Sequence, residues 1–177
     1  SNYTNKKGYI VVSQGTYSNI PENRTKEEIN INNTVVLTTP QISEALPIVE
    51  LSTVINDKKV WGVIESNDDP NTTIRDVVIQ GGFNHNFDNR EDDRLIINSL
   101  GEGAIMVSNI NGNLENGDYI TTSAIEGLGM KQDDDLLHNY TVAKITQDCD
   151  FATGTTNVTH DGTTYKMKLV GCTYHCG

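Results

Sequence analysis

The groups in this sequence with chemistry to offer are a few carboxylates, a cysteine–histidine tail and a scatter of aromatic rings. A carboxylate peptidase acting on its own chain needs two acidic side chains close together, one as general base while the other keeps its proton. Glu91, Asp92, Asp93 and Glu102 are the candidates. The first three sit between Arg90 and Arg94 and also read as a solvated, partly neutralised loop. Glu102 lies between Gly101 and Gly103, on backbone with little steric shielding where an apolar strand begins, and its ordinary reading is an exposed turn residue.

Cys172, His175 and Cys176 form a Cys-x-x-His-Cys cluster, which Cys149 with His138 or His160 would complete to four ligands. Structural zinc uses recognisable paired spacings, and no Cys-x-x-Cys pair is present. On a terminal strand Cys172, Tyr174 and Cys176 share one face and His175 takes the other, so a buried thiol face is the simpler account. The same alternation argues against a Cys–His nucleophile. Asp133, Asp134 and Asp135 are adjacent and point in different directions, unlike the alternating ligands of a calcium loop, so a solvated acidic turn is expected. Asp118 after Gly117 reads as a cap on turn amides. Trp61, with Tyr9, Tyr17, Tyr119 and Tyr140, would line a sugar-stacking surface, although Trp61 lies in an apolar run and core packing is its preferred reading. There is no serine-nucleophile elbow, phosphate-cradling glycine loop or His-Glu-x-x-His. No cofactor and no metal are expected.

Whatever these groups do, strands must position them. Short runs rich in Val, Ile, Thr and Tyr, bounded by Gly, Asn, Asp or Pro, recur along the 177 residues, and almost none has helical spacing. Strands are expected at 8–13, 34–38, 48–51, 59–66, 95–98, 104–107, 119–122, 141–146 and 165–172, with a single helical turn at 25–29. Asn111-Gly112-Asn113, Asn116-Gly117-Asp118 and His160-Asp161-Gly162 supply residues tolerant of positive φ, and hairpins are expected there. The fold class is mostly β: a compact, hairpin-rich, β-barrel-like domain, with sub-lobes 1–80 and 95–177 joined by a central polar loop at 81–94. A second polar loop is expected at 65–75.

The two halves share a pattern. Tyr9-Ile10-Val11-Val12-Ser13 parallels Tyr119-Ile120-Thr121-Thr122-Ser123, each after a glycine turn, and 60–64 parallels 141–145. Either an internal duplication with unequal insertions or convergence of two hairpin starts produces this.

Net charge is −11, which repels nucleic acid and anionic lipid because phosphate binding needs clustered Lys and Arg. With 36% hydrophobic and 21% charged residues the composition is that of a folded chain, not a disordered one. No apolar run approaches the roughly 18–20 residues that cross a bilayer. Three cysteines, an odd number, point to a reducing compartment. Six Asn-x-Ser/Thr triplets reflect an Asn-rich bias rather than glycosylation.

The segment 98–123 resembles C-terminal domains of fibre-like proteins from large DNA viruses of algae, and more distantly the self-cleaving intramolecular chaperone domains that end some phage appendage proteins. The residues that carry the resemblance are Gly62 to Ser66, Ala104 to Val107, Asn111-Gly112, Gly117-Asp118, Thr122-Ser123 and Gly127-Leu128-Gly129-Met130, together with the closing Val170 to Gly177. It is strongest over 95–151, and its turn and strand signatures specify fold better than activity. It implies a homotrimer that registers an upstream fibre shaft of the same polypeptide, in the virion or the cytoplasm of the infected cell. In the phage relatives the domain is then released by its own carboxylates. The acidic Asp-Tyr-Ala-Glu box that opens those domains does not occur here, so no catalytic position transfers. The other implied role is a virion-surface receptor- or glycan-binding head. The apolar strands 104–107, with Ile105, and 165–170 are expected in the protomer core or in an interface between copies.

Overall fold

The computed structural model describes residues 3, 5–17, 46–68, 77–79, 83–85 and 94–176. Among these there is no helix, and strands form two larger sheets and a short hairpin. The first sheet holds β1 (Ile10–Tyr17), β2 (Pro47–Leu51), β3 (Val60–Asp68) and β6 (Arg94–Asn98), in the order β2-β1-β3-β6 and antiparallel throughout. The hairpin pairs β4 (Val77–Ile79) with β5 (Phe83–His85). The second sheet holds β7 (Leu100–Ser108), β8 (Tyr119–Thr122), β9 (Gly129–Lys131), β10 (Thr141–Ile145), β11 (Thr156–His160) and β12 (Thr163–His175). Its order is β10-β8-β9-β7-β12-β11, and β10 also pairs with β12, so β7, β9, β8, β10 and β12 form a ring. The barrel-like, mostly β character expected from the sequence is what the chain adopts.

The ring is possible because β12 is long. One edge of β12 runs beside β7 from Met167 to His175, while the other pairs first with β11 and then, at Cys172 to Tyr174, with β10. Side chains alternate across a strand, so Val170, Cys172 and Tyr174 enter the ring and meet Ile105, Val107, Ile120, Val142 and Ile145. Phe151 is buried among them with a φ of 55°. That conformation costs a bulky residue about 1–2 kcal/mol, which burial of the ring, worth about 1.5–3 kcal/mol, offsets.

Ile10 to Val12 of β1 and Gly62 to Ile64 of β3 are buried on both faces. Ile10 and Val63 join the core inside the ring, whereas Tyr9, Val11 and Ile64 join a second cluster with Leu51, Ile125 and Leu128, covered by Met106, Tyr165 and Met167. Hence Tyr9-Ile10-Val11-Val12 reads as a continuous apolar run instead of alternating.

The two halves share more than composition. In β2-β1-β3-β6, Val11 faces Leu51 and Gly62, Val12 faces Glu50 and Val60, and Ile64 faces Ile97. In β9-β8-β10-β12, Ile120 faces Lys131 and Ala143, Thr121 faces Met130 and Thr141, and Ile145 faces Cys172. Each unit has a bulge at the same step, with Trp61 the extra residue in one and Val142 in the other. The turns match too. Gly8 N–H donates to Ile64 O and Ile64 N–H to Tyr9 O, at 2.8 and 2.9 Å, and Gly117 N–H donates to Ile145 O and Ile145 N–H to Asp118 O, both at 2.8 Å. Gly8 and Gly117 have φ of 84° and 100°, which a side chain rarely adopts. Structure therefore sets Tyr9 against Asp118, one residue from the Tyr9–Tyr119 match the sequence suggests.

Several expectations need correction. β3 runs on to Asp68, so residues 65–68 are strand rather than loop, and β5 lies inside the segment read as a polar loop. Gly101-Glu102-Gly103 lies within β7, not in a turn. β6 pairs with β3 in the first sheet, so the change of sheet falls at Ser99. Of the three expected hairpins, His160-Asp161-Gly162-Thr163 is one, with Asp161 and Gly162 both at positive φ. The turn at Asn111-Gly112 instead leads to Leu114, which bridges Cys149. Expected strand 34–38 and helical turn 25–29 lie outside the described residues.

Candidate functional site

β12 divides the cysteine–histidine tail as alternation requires. Cys172 and Tyr174 are buried in the ring, and Cys176 packs against the same cluster with its thiol 3.4 Å from Val142 O. Burial pushes both thiols up to about 12, and the neighbouring Cys176 adds to the effect on Cys172. They are not poised nucleophiles. Cys149 is buried in the same core, held by reciprocal backbone hydrogen bonds with Leu114 of 2.9 and 2.8 Å. His138 and His160 are turned to Asp134 and Asp161, at 2.9 and 3.4 Å. Among the described residues no three His, Cys, Asp or Glu side chains gather closely enough to hold a metal ion.

The outward face of the ring collects the remaining polar candidates. Tyr119 pairs with Lys144, Lys144 with Thr173 and Thr173 with Glu102, a row across four strands. His175 pairs with Leu100 beside it, meets Tyr119 edge-on at 6.0 Å and lies 3.4 Å from Thr173 Oγ1. Glu102 is exposed, and among the described residues no second carboxylate is hydrogen-bonded to it. Glu91, Asp92 and Asp93 lie outside the described residues. A row of one ammonium, one carboxylate, a hydroxyl, an imidazole and a phenol is equipped to bind polar groups.

Glycine on either side of Glu102 has a reason of its own, packing at Gly103 and backbone conformation at Gly101. A Cβ on Gly103 would stand 2.3 Å from the Tyr174 hydroxyl, because the Tyr174 ring lies across that position. The hydroxyl accepts from Ala104 N–H at 2.9 Å and donates to Ala104 O at 2.7 Å, stitching β12 to β7. Gly101 has a φ of 91°.

Trp61 is not a core residue. As the extra residue of its bulge it is 42% exposed, where Val142 in the matching unit is buried. β3 carries it toward the Ser99–Leu100 corner, since Val63 faces Asn98. The other aromatic residues do not gather around it in one platform: Tyr9 is buried, while Tyr119 belongs to the row above and Tyr140 stacks on His138 at 4.5 Å. The side chain of Tyr17 lies outside the described residues.

The acidic turn is more ordered than its composition suggests. The Asp134 carboxylate accepts from Leu136 N–H at 3.0 Å, Gln132 Nε2 at 2.9 Å and His138 Nε2 at 2.9 Å. His138 foremost, then the Leu136 amide, hold its carboxyl below the usual range. Buried Gln132 also donates to Leu136 O at 2.6 Å and accepts from Thr141 Oγ1 at 2.7 Å. Asp133 accepts from Asn111 at 2.8 Å, and Asp118 caps Glu115 N–H at 2.8 Å. This loop, between β9 and β10, presents Leu136 and Leu137 at 64% and 61% exposure. Its counterpart between β2 and β3 presents Val54 and Ile55 at 55% and 52%. These paired apolar tips were the feature missed in reading the sequence, although each shows there as two apolar residues set in a polar run.

Comparison with protein-family models, curated proteins and solved structures gives no match. No helix among the described residues is long and apolar enough to cross a membrane.

Proposed function

We propose that this chain is an assembly module: the C-terminal chaperone or cap of a viral fibre or appendage protein, which brings three copies together and registers the strands of an upstream shaft. The observation that carries the reading is the exposure of Val54, Ile55, Leu136 and Leu137 on two corresponding loops. Large apolar side chains grouped on a surface mark contact sites, because covering them removes apolar area from water. The sequence resemblance supports the fibre setting, and with it action in the virion or the infected cell's cytoplasm. Three chains joined at one end would shorten the search for non-local pairings that makes fibrous β structures slow to form.

The test is to append the chain to a short trimeric peptide shaft. The shaft should refold at least tenfold faster, with a rate less dependent on concentration, than the same shaft alone. Equal rates would remove the chaperone role.

Exposed Trp61 favours a second reading, a receptor- or glycan-binding head, because an indole face stacks on sugar rings. On that reading a glycan array retains the chain and Trp61→Ala loses at least tenfold in binding, with the fold intact by circular dichroism. No retention on the array would set this reading aside.

A further inference from the structure

Two loops occupy matching places in the two units, between β2 and β3 and between β9 and β10, and their anchors are neighbours, since Thr121 and Thr141 are register partners. The first docks on β8: Thr121 Oγ1 donates to Asn56 Oδ1 at 2.8 Å, and Thr122 Oγ1 accepts from Asp57 N–H at 2.8 Å and donates to Val54 O at 2.7 Å. The second is anchored at Thr141, the register partner of Thr121, whose Oγ1 accepts from His138 N–H at 3.0 Å. Each tip carries an apolar pair, and all four side chains are more than half exposed, so neither tip covers the other within one chain.

Their flanks carry opposite charge. The first tip is followed by Lys58 and Lys59, both exposed, with Lys59 3.6 Å from buried Asp57. The second is preceded by exposed Asp133, Asp134 and Asp135. Both tips are also held in place, the first by Thr121 and Thr122, the second by Gln132 and the Asp134–His138 pair. A pre-ordered loop loses less conformational freedom on docking than a loose one.

We propose that these loops are the two halves of a contact between copies of this chain, the Val54-Ile55 tip and Lys58 of one copy against the Leu136-Leu137 tip and Asp135 of the next. The occupant follows from charge: a chain of net charge −11 repels its own copies over most of its surface, and the lysine flank of the first loop is complementary to the aspartate flank of the second. Two different patches meeting head to tail form a closed ring when the rotation between copies closes. Patches anchored on one pair of strands, β8 and β10, suit a small ring gathered around an axis near that pair. This contact rests on the trimer reading and specifies its interface.

A charge swap tests it, read by sedimentation over a hundredfold concentration range with circular dichroism to confirm folding. Lys58 is chosen because Lys59 serves buried Asp57, and Asp135 because Asp133 and Asp134 hold the loop. Lys58→Glu and Asp135→Lys should each bring dissociation of the trimer into that range, and the chain carrying both should again sediment as a trimer over most of it. Single reversals that associate as tightly as the unaltered chain, or a double variant with no recovery, would overturn this contact while leaving the trimer standing. An unaltered chain that stays monomeric throughout would overturn both.

Discussion

At the scale of single residues, the tail was legible because alternation along a strand is rigid geometry: two thiols face in, one imidazole faces out, and no metal spacing is needed to explain them. The consequence is a pH dependence. Both thiols have their pKa raised to about 12 in the folded chain from an ordinary value of 9.0, so folding favours the protonated form. Their contribution to stability is complete below about pH 9 and is lost as pH rises through 12. The melting temperature should therefore fall faster above pH 9 for the unaltered chain than for Cys172→Ala/Cys176→Ala, and a thiol reagent at pH 8 should label the folded chain far more slowly than the unfolded one. Parallel melting curves for the two chains would contradict the assignment. Trp61 was not legible, because one extra residue in a bulge reverses the alternation that its apolar neighbours imply. Buried Gln132 gave no hint either, since its role depends on Asp134, Leu136 and Thr141 meeting around it.

At the scale of elements, strands with enough β-branched residues announced themselves, and β8 has the bounds its sequence implies. Those that escaped are short or polar. β9 is three residues held between β8 and β7, and β11 is Thr-Asn-Val-Thr-His, a strand through its pairing with β12 more than through any apolar pattern. The Gly-Glu-Gly run shows the limit of turn propensity: these glycines serve a strand, because Tyr174 of β12 needs the space above Gly103 of β7. Removing that hydroxyl with Tyr174→Phe should cost about 1–3 kcal/mol by leaving Ala104 without its side-chain partner. Gly103→Ala should cost a similar amount, about 1–3 kcal/mol, through overpacking. Because the two side chains would compete for one space, the cost of Gly103→Ala should shrink in a Tyr174→Ala background when both are measured by urea unfolding. Simple additivity would mean that the ring does not occupy that position in solution.

At the scale of the whole molecule, the barrel-like fold and the paired halves could be read from composition and pattern, whereas the way they fit together could not. Alignment by residue type matched Tyr9 with Tyr119, while the hydrogen bonds match Gly8 with Gly117 and place both bulges at one step. The sequence also gave no sign that the first sheet supplies Ile10 and Val63 to the core inside the ring, since that depends on contacts far apart along the chain. What the repeated plan leaves outward is a pair of apolar loop tips, and the proposed assembly depends on covering them. The most direct test is the solution mass of the unaltered chain by light scattering across a hundredfold concentration range. A mass of three chains throughout that range is the result expected of a trimeric cap; a single-chain mass at every concentration would contradict it.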